Sequence, residues 1–270
     1  MKRWILGILL ASAADTVAQA GPFAPAAGQP GSTAIATTSP DIVAWADGVA
    51  ELVRGPIDAA NPAGPAASFG TGAEALGPAN GVATNVVSLG DGGHITLTFS
   101  QPITNGPGFD LAVFENGFAD AFLELAFVEV SSNGTDFARF DATSLTQTTT
   151  QVASFGALDP TNLNNLAGKY RGGFGTPFDL AELDGVVPNV DINQIGYVRI
   201  VDVVGALDPL IRTTDALGNP VNDPYPTAFS SGGFDLDGVA AMHVVPEPTG
   251  AVLLSLGLLP VWCAIRRRAR

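Results

Sequence analysis

A two-residue alternation of apolar and polar side chains is the feature that most constrains the fold of this chain. Ile95, Leu97 and Phe99 alternate with threonine and serine, as in a strand that is buried on one face only. Strong helical periodicity is absent after residue 54. Other short apolar runs, separated by Gly, Asn and Asp turn residues, occupy 109–114, 126–131, 197–204 and 239–244. Short strands joined in this way predict an all-β fold, an antiparallel β-sandwich.

The residues just before this region have a different spacing. Ser39 and Pro40 resemble the start of a helix, with serine as the N-cap and proline in the first turn. Apolar side chains then recur three and four residues apart, at Ile42, Trp45, Ala46, Val49, Leu52 and Val53. We therefore expect a short N-terminal helix, with Trp45 packed in it. Residues 21–39 are rich in Gly, Ala, Pro, Ser and Thr and are expected to form a linker, so that the sandwich domain covers 40–244.

Acidic residues dominate the central part of the chain. The protein has 26 Asp and Glu against 12 Lys and Arg, a formal charge of −14. Six of the basic residues lie in the two terminal segments, so residues 21–245 carry 24 acidic and six basic side chains, a difference of −18. Phosphate backbones repel such a surface, and we expect no nucleic-acid partner. The single cysteine excludes an internal disulfide framework and a cysteine-rich metal site.

Residues 1–20 have the three parts of a secretory signal peptide in order. Lys2 and Arg3 form a positive start, residues 4–10 are apolar, and Ala18-Gln19-Ala20 is a cleavage site of the A-x-A type. The alternative is that this segment forms an N-terminal helix of the fold. The order of the three parts favours export.

The last 26 residues have a second tripartite pattern. It begins with Val245, Pro246, Glu247 and Pro248, continues with an apolar run to residue 265, and ends in Arg266, Arg267 and Arg268. The apolar run predicts a short transmembrane helix over 249–265, and the arginine-rich end, 266–270, would lie in the cytoplasm. The alternative is a buried C-terminal helix, which a basic cluster directly after the run disfavours.

This C-terminal pattern resembles the PEP-CTERM sorting signal. The resemblance covers residues 245–270 and is strengthened by the predicted signal peptide at the other end of the chain. It implies processing by an exosortase, a membrane transpeptidase-like protease, after the helix has held the protein in the membrane. It also implies residence in the envelope, at the cell surface or in the extracellular matrix of a Gram-negative bacterium that makes exopolysaccharide.

The central part has a resemblance of its own. The segment 127–137, with the sequence FVEVSSNGTDF, is similar to a hairpin of galactose-binding-like jelly rolls and discoidin-like modules. Together with 110–117 and 233–239 it resembles a family of bacterial cell-surface proteins, mostly of unknown function, that often carry the same sorting signal. The resemblance covers about 85–243 and implies a jelly-roll architecture and a surface location rather than a particular chemistry.

Acidic side chains near two predicted strands are candidate ligands for calcium, which binds six to eight oxygen atoms. Asp235 and Asp237 lie on one side of an extended segment, and Asp110, Glu115 and Asn116 lie at the two ends of another strand. A third acidic group, within 215–223, lacks the residue order of an EF-hand. If the strands bring the first two groups together, a Ca²⁺ site is expected. The alternative is that these side chains cap turns and backbone amides.

Catalytic motifs are absent from the sequence. His94 and His243 are the only histidines, and neither belongs to a nucleophile motif, a zinc-binding motif or a phosphate loop. Two carboxylates of a glycosidase cannot be recognised among so many acidic residues. We therefore expect no enzymatic activity and assign no catalytic residue.

Aromatic residues in Gly- and Pro-rich loops are candidates for stacking on a sugar ring. They are Tyr170, Phe174, Phe178 and Tyr225. The alternative, which we favour, is that they anchor those loops to the core. The sequence thus favours a non-enzymatic, exported surface or matrix protein associated with exopolysaccharide. A carbohydrate-binding module that uses calcium and a polysaccharide-active enzyme remain alternatives.

Overall fold

The computed structural model describes residues 20–246. Residues 1–19 of the predicted signal peptide, Glu247 and Pro248, the predicted transmembrane helix and the arginine cluster lie outside this range. Within 20–246, no helix is long and apolar enough to cross a membrane.

The described part of the chain is almost entirely β-structure. Its strands are β1 (Ile35–Ala36), β2 (Ala44–Trp45), β3 (Gly48–Val53), β4 (Val87–Ser88), β5 (His94–Ile103), β6 (Leu111–Glu115), β7 (Ala126–Ser131), β8 (Ala138–Arg139), β9 (Thr143–Ser144), β10 (Leu163–Asn164), β11 (Phe174–Phe178), β12 (Ile195–Asp202) and β13 (Asp235–Ala241). Its helical segments are short 3₁₀ turns at Gly72–Ala75, Pro160–Asn162 and Leu180–Leu183.

Two antiparallel sheets form a sandwich. The first has the order β1-β11-β6-β13-β2, with β4 also paired to β13, and the second has the order β3-β5-β12-β7-β8. Strands β9 and β10 form a separate two-stranded ribbon. One continuous apolar core contains side chains from both sheets, such as Val113 and Val239 from the first and Leu97 and Ile200 from the second. The predicted all-β, antiparallel sandwich is confirmed, and the architecture is consistent with a jelly-roll body.

The alternating segments predicted from the sequence coincide with long strands of this sandwich. Ile95, Leu97 and Phe99 are buried on β5, and the run 126–131 is β7. The turn after β7 has Gly134 at φ 75°, a conformation that glycine adopts without steric cost. The side chain of Asn133 accepts hydrogen bonds from the backbone of the two residues that follow Gly134, which closes the hairpin to β8.

The predicted N-terminal helix is wrong. Most of its residues form β2 and β3, and β3 lies at the edge of the second sheet, where it pairs with β5. The apolar spacing was weak evidence for a helix because Gly48 interrupts it, and pairing with the free edge of β5 prevails over a weak local preference. Trp45 packs against Phe114 of β6, a strand of the same sheet as β2, with ring centroids 5.1 Å apart.

Residues 21–39, predicted to be a linker, contact the body of the domain. Strand β1 pairs with β11, and the backbone N–H of Phe23 donates to the carbonyl of Thr161 over 3.0 Å. The long loop that follows β3 is held by Arg54, whose guanidinium donates to the carbonyls of Phe69, Gly70 and Ser88 at 2.6–2.9 Å. These contacts place the loop beside β4 and the start of β13.

Candidate functional site

The five predicted metal-ligating residues lie in three different places. Strands β6 and β13 are antiparallel neighbours, so Asp110, which precedes β6, and Asp235, which begins β13, are at opposite ends of the pair. Asp110 is fully buried and accepts hydrogen bonds from the backbone of Gly106 and Leu180, and its Oδ1 lies 2.8 Å from Nδ1 of His243. Asp110 therefore ties loops to the end of the sheet.

Asp237 has a similar structural role at another position. Its carboxylate accepts hydrogen bonds from the backbone N–H groups of Asn80 and Gly81, at 2.7–3.2 Å. Burial raises the pKa of Asp237, and these two N–H donors oppose that shift. Asp110 and Asp237 thus bind backbone amides, which is the alternative that the sequence left open for acidic residues of this kind.

The remaining three predicted ligands come together. The register of β6 and β13 pairs Glu115 with Leu236, next to Asp235. The side-chain amide of Asn116 donates to Oδ2 of Asp235 over 3.2 Å, and the hydroxyl of Ser88 donates to Oδ1. Oε2 of Glu115 accepts from the N–H of Gly117 at 2.6 Å, whereas Oε1 is buried without a hydrogen-bond partner. Asn116 and Asp235 are therefore in direct contact, and the buried carboxyl group of Glu115 is near enough for the charge of Asp235 to act on it.

This cluster is also affected by Asp202 and Glu124, which the sequence did not single out, and by Asp223 from the third acidic group within 215–223. Asp202, at the end of β12, accepts from the backbone N–H groups of Gly92 and Phe234 at 2.8 and 2.6 Å. Asp223 accepts from the N–H of Leu125 through Oδ2, and its Oδ1 is buried without a partner. Glu124 is partly exposed, and the hydrogen bonds among residues 20–246 include none to its carboxylate.

Burial raises the pKa values of these acids, and repulsion between them adds to the effect. The pKa of Asp235 is raised to about 6, mainly by desolvation, although Ser88, Asn116 and the charge of Arg54 partly oppose the shift. The pKa values of Glu115 and Glu124 are raised well above the ordinary value, first by desolvation and then by the other carboxylates. The same causes raise the pKa of Asp202. A carboxyl pair whose charges disfavour each other in this way is a common feature of functional sites.

An open cleft of about 300 Å³ lies over part of this cluster. Its polar lining includes Asn116, Glu124 and Asp235. Its apolar lining consists largely of four phenylalanine rings, Phe118, Phe122, Phe155 and Phe229. We call these seven residues the phenylalanine cleft.

The rings of the phenylalanine cleft form a continuous row on the surface. The ring centroids of Phe118 and Phe122 are 4.3 Å apart, those of Phe122 and Phe155 are 5.9 Å apart, and those of Phe155 and Phe229 are 5.9 Å apart. Phe118 is 70% exposed and Phe155 is 69% exposed. A contiguous row of exposed rings around a concave site is typical of a binding surface.

The aromatic residues proposed from the sequence lie elsewhere. Tyr170 is 1% exposed and its hydroxyl shares a hydrogen bond of 2.8 Å with Thr33, and Phe178 is buried against Phe140. Both residues anchor loops to the core. Phe174 is partly buried, and the guanidinium of Arg171 lies 4.6 Å from its ring centroid.

Tyr225 is also outside the phenylalanine cleft. Its hydroxyl donates to the carboxylate of Asp58 over 2.7 Å. Burial, together with this hydrogen bond, raises the pKa of Tyr225 to about 12. The phenol is therefore committed to a loop contact within the domain.

The four phenylalanines of the cleft were missed because no periodic pattern marks them. They lie in loops, and small residues surround some of them, as in Gly117-Phe118 and Ala228-Phe229-Ser230. From sequence alone, a large apolar side chain in such a loop fits two predictions: it anchors the loop to the core, or it is exposed and contacts a ligand. The sequence signal that could have found the site is the occurrence of several isolated phenylalanines near acidic residues.

The predicted calcium site is not assembled from its five residues. Within 20–246, no group of three or more His, Cys, Asp or Glu side chains is arranged so that it could hold a metal ion. Two residues of the predicted sorting signal, Val245 and Pro246, lie within the described range. The N–H of Val245 donates to the carbonyl of Pro102, and Pro246 is exposed. The other sorting residues lie outside the described range.

No protein-family model matches this chain, and no curated protein matches it.

Proposed function

We propose that this chain is an exported, non-enzymatic surface or matrix protein whose sandwich domain binds carbohydrate of the surrounding exopolysaccharide in the phenylalanine cleft. The observation that carries the proposal is the row of exposed phenylalanine rings beside hydrogen-bonding carboxyl and amide groups. Ligand sites combine apolar walls with a few convergent polar groups in this way.

The rings provide the apolar part of the binding. A sugar ring has faces of C–H groups, which gain contact area and lose water when they stack on an aromatic face. The exposed faces of Phe118 and Phe155 are available for such contact without a change in the core. The spacing of the rings along the cleft suits an extended chain of sugar units better than one compact molecule.

The polar groups provide orientation. Asp235 is held by Ser88 and Asn116, so that its position at the base of the cleft is fixed before a ligand arrives. Glu124 has its hydrogen-bonding capacity free among the described residues and accepts from sugar hydroxyls. Preorganised acceptors of this kind reduce the entropy lost on binding.

The cellular location in this proposal is supported by the sequence at both ends of the chain. Residues 1–20 have the order of a signal peptide, and 245–270 resemble the PEP-CTERM signal that an exosortase processes. Before processing, the apolar run 249–265 would hold the protein in the membrane. An acidic domain without cysteine is suited to the outside of a cell.

A polysaccharide pull-down with the full-length protein tests the binding proposal. We expect retention on at least one bacterial exopolysaccharide, and loss of retention in Phe118→Ala and Phe155→Ala. Leu210→Ala is the matched control, because Leu210 is 88% exposed and is not part of the cleft. Absence of retention on every polymer, with and without Ca²⁺, would contradict the binding proposal. Release of reducing sugar from a retained polymer would contradict the proposal that the protein is not an enzyme.

A further inference from the structure

We propose that the phenylalanine cleft selects ligands that carry a positive charge on nitrogen, so that its ligand class is amino sugars with a free, protonated amine. This inference rests on the proposed carbohydrate-binding function and specifies the chemistry of the same site. It follows from the way in which rings and carboxyl groups are placed together.

The rings offer a surface that attracts cations as well as sugar faces. Aromatic faces carry partial negative charge, and an ammonium group within about 6 Å of a ring centroid is attracted to them. Phe122 stacks on Phe118 and on Phe155, so a cation in the cleft would meet the part of the row that stays exposed, mainly on Phe118 and Phe155.

The carboxyl groups of the same cleft add negative charge. Asp235 is only 7% exposed and lines the cleft together with Glu124. Oε1 of Glu115, whose charge acts on Glu124, is buried without a hydrogen-bond partner and does not line the cleft. None of the ion pairs formed among residues 20–246 includes Glu124, Asp235 or Glu115.

The charge of Arg54 acts on Asp235, and three backbone carbonyls hold its guanidinium in place. No cation is among the main causes that act on the pKa of Glu115 or Glu124. Buried carboxyl groups without a nearby cation are costly to ionise, and their raised pKa values are the expected result. A cationic ligand would relieve this cost, which gives it an advantage over a neutral ligand of the same shape.

A metal ion and a purely apolar ligand are poorer matches. Calcium requires six to eight oxygen atoms, and phenylalanine rings provide none of them. An apolar ligand would cover Glu124 without offering a hydrogen bond, which leaves that carboxyl group desolvated and unpaired. A protonated amino sugar offers C–H faces to the rings and N–H donors to the carboxyl groups at once.

The test compares three immobilised polymers with the full-length protein: a β-1,4-linked glucosamine polymer with free amines, the same polymer fully N-acetylated, and neutral dextran. We expect the free-amine polymer to bind at least about tenfold more tightly than its acetylated form. Choline chloride should compete with the free-amine polymer more strongly than sodium chloride at the same concentration, because its quaternary ammonium group is attracted to aromatic rings. Both salts screen charge equally, so screening alone would give no difference between them.

A matched pair of variants separates the cleft from the general acidity of the protein. Glu124→Gln removes one charge from the cleft and retains the shape of the side chain, and Asp184→Asn removes one charge from an exposed position outside it. We expect Glu124→Gln to weaken binding of the free-amine polymer about tenfold, and Asp184→Asn to leave it unchanged. Thermal melts of both variants check that the fold is intact.

The outcomes distinguish this inference from the function on which it rests. Equal binding of the free-amine and acetylated polymers would overturn the inference and leave carbohydrate binding in place. An equal loss in the two variants would also overturn it, since the attraction would then be a property of the whole acidic surface. No binding of any polymer, here or in the exopolysaccharide pull-down, would overturn the proposed function itself.

Discussion

Asp110 and Asp235 lie on adjacent strands of one sheet, at opposite ends of the β6–β13 pair, and their carboxylates have different partners. Asp110 is saturated by two backbone N–H groups and the ring of His243. Asp235 has side-chain partners only and faces the phenylalanine cleft. The first is expected to contribute to stability and the second to binding.

Replacement of Asp110 should destabilise the protein strongly. In Asp110→Ala the N–H groups of Gly106 and Leu180 lose their acceptor, and each buried donor left without a partner costs about 1–3 kcal/mol. We expect the free energy of unfolding, measured by urea denaturation, to fall by roughly 3 kcal/mol. The exposed Asp184→Ala should change it by less than about 0.5 kcal/mol; similar losses in both variants would contradict the role of Asp110.

Removal of the Glu124 charge should stabilise the protein at high pH. The pKa of Glu124 is raised in the folded state, so the folded form binds more protons than the unfolded one once the pH exceeds about 4.5. Stability from this group is present in acid and is lost as the pH rises. We expect Glu124→Gln to raise the melting temperature at pH 8 and to have little effect at pH 4, as measured by calorimetry; an unchanged difference across this range would contradict the pKa shift.

The binding of a permanent cation should also depend on pH. The carboxyl group of Asp235 has a pKa of about 6 and is faced by Ser88, Asn116, Arg54, Glu115 and Glu124. Above this pH the group is ionised more often, and its attraction for a cation grows. We therefore expect the affinity for a quaternary ammonium probe, measured by titration calorimetry, to increase between pH 5 and 7, and Asp235→Asn to reduce that increase.

The calcium hypothesis has its own test. A cation that binds only the folded state raises the melting temperature. If calcium binds Glu115, Asn116 and Asp235, melts in millimolar Ca²⁺ should lie above melts in EDTA, and the difference should shrink in Asp235→Asn. Magnesium is the control, because it keeps its water shell more firmly. Equal melting temperatures in calcium and EDTA would remove the hypothesis.

The strands could be predicted where one face is buried and the other exposed. In β5 the apolar residues Ile95, Leu97 and Phe99 alternate with hydroxyl residues because successive side chains of a strand point to opposite faces of the sheet. Strand β3 lacks this alternation, because it is an edge strand on which Val49 and Val53 are both substantially exposed. Its apolar residues therefore retained a spacing that also fits a helix.

The candidate site was predictable only in part. Glu115, Asn116 and Asp235 were named because they flank strands, and the β6–β13 pairing places them at the same end of the sheet, where Asn116 contacts Asp235. Glu124 and the four phenylalanines come from loops whose paths depend on contacts distant in sequence. For example, the side chain of Asp202 fixes the backbone at Gly92 and Phe234, which are 142 residues apart in the numbering of the chain. Local patterns contain no information on such contacts.

Strand β13 connects the proposed binding site to the predicted anchor. It begins with Asp235 in the phenylalanine cleft, and its seven residues run for about 20 Å toward the segment that continues into Val245 and the sorting signal. A protein tethered through that signal would present its cleft on the distal side, away from the lipid surface. The strand would then act as a spacer that transmits tension from a captured polymer directly along hydrogen-bonded backbone to the point of attachment.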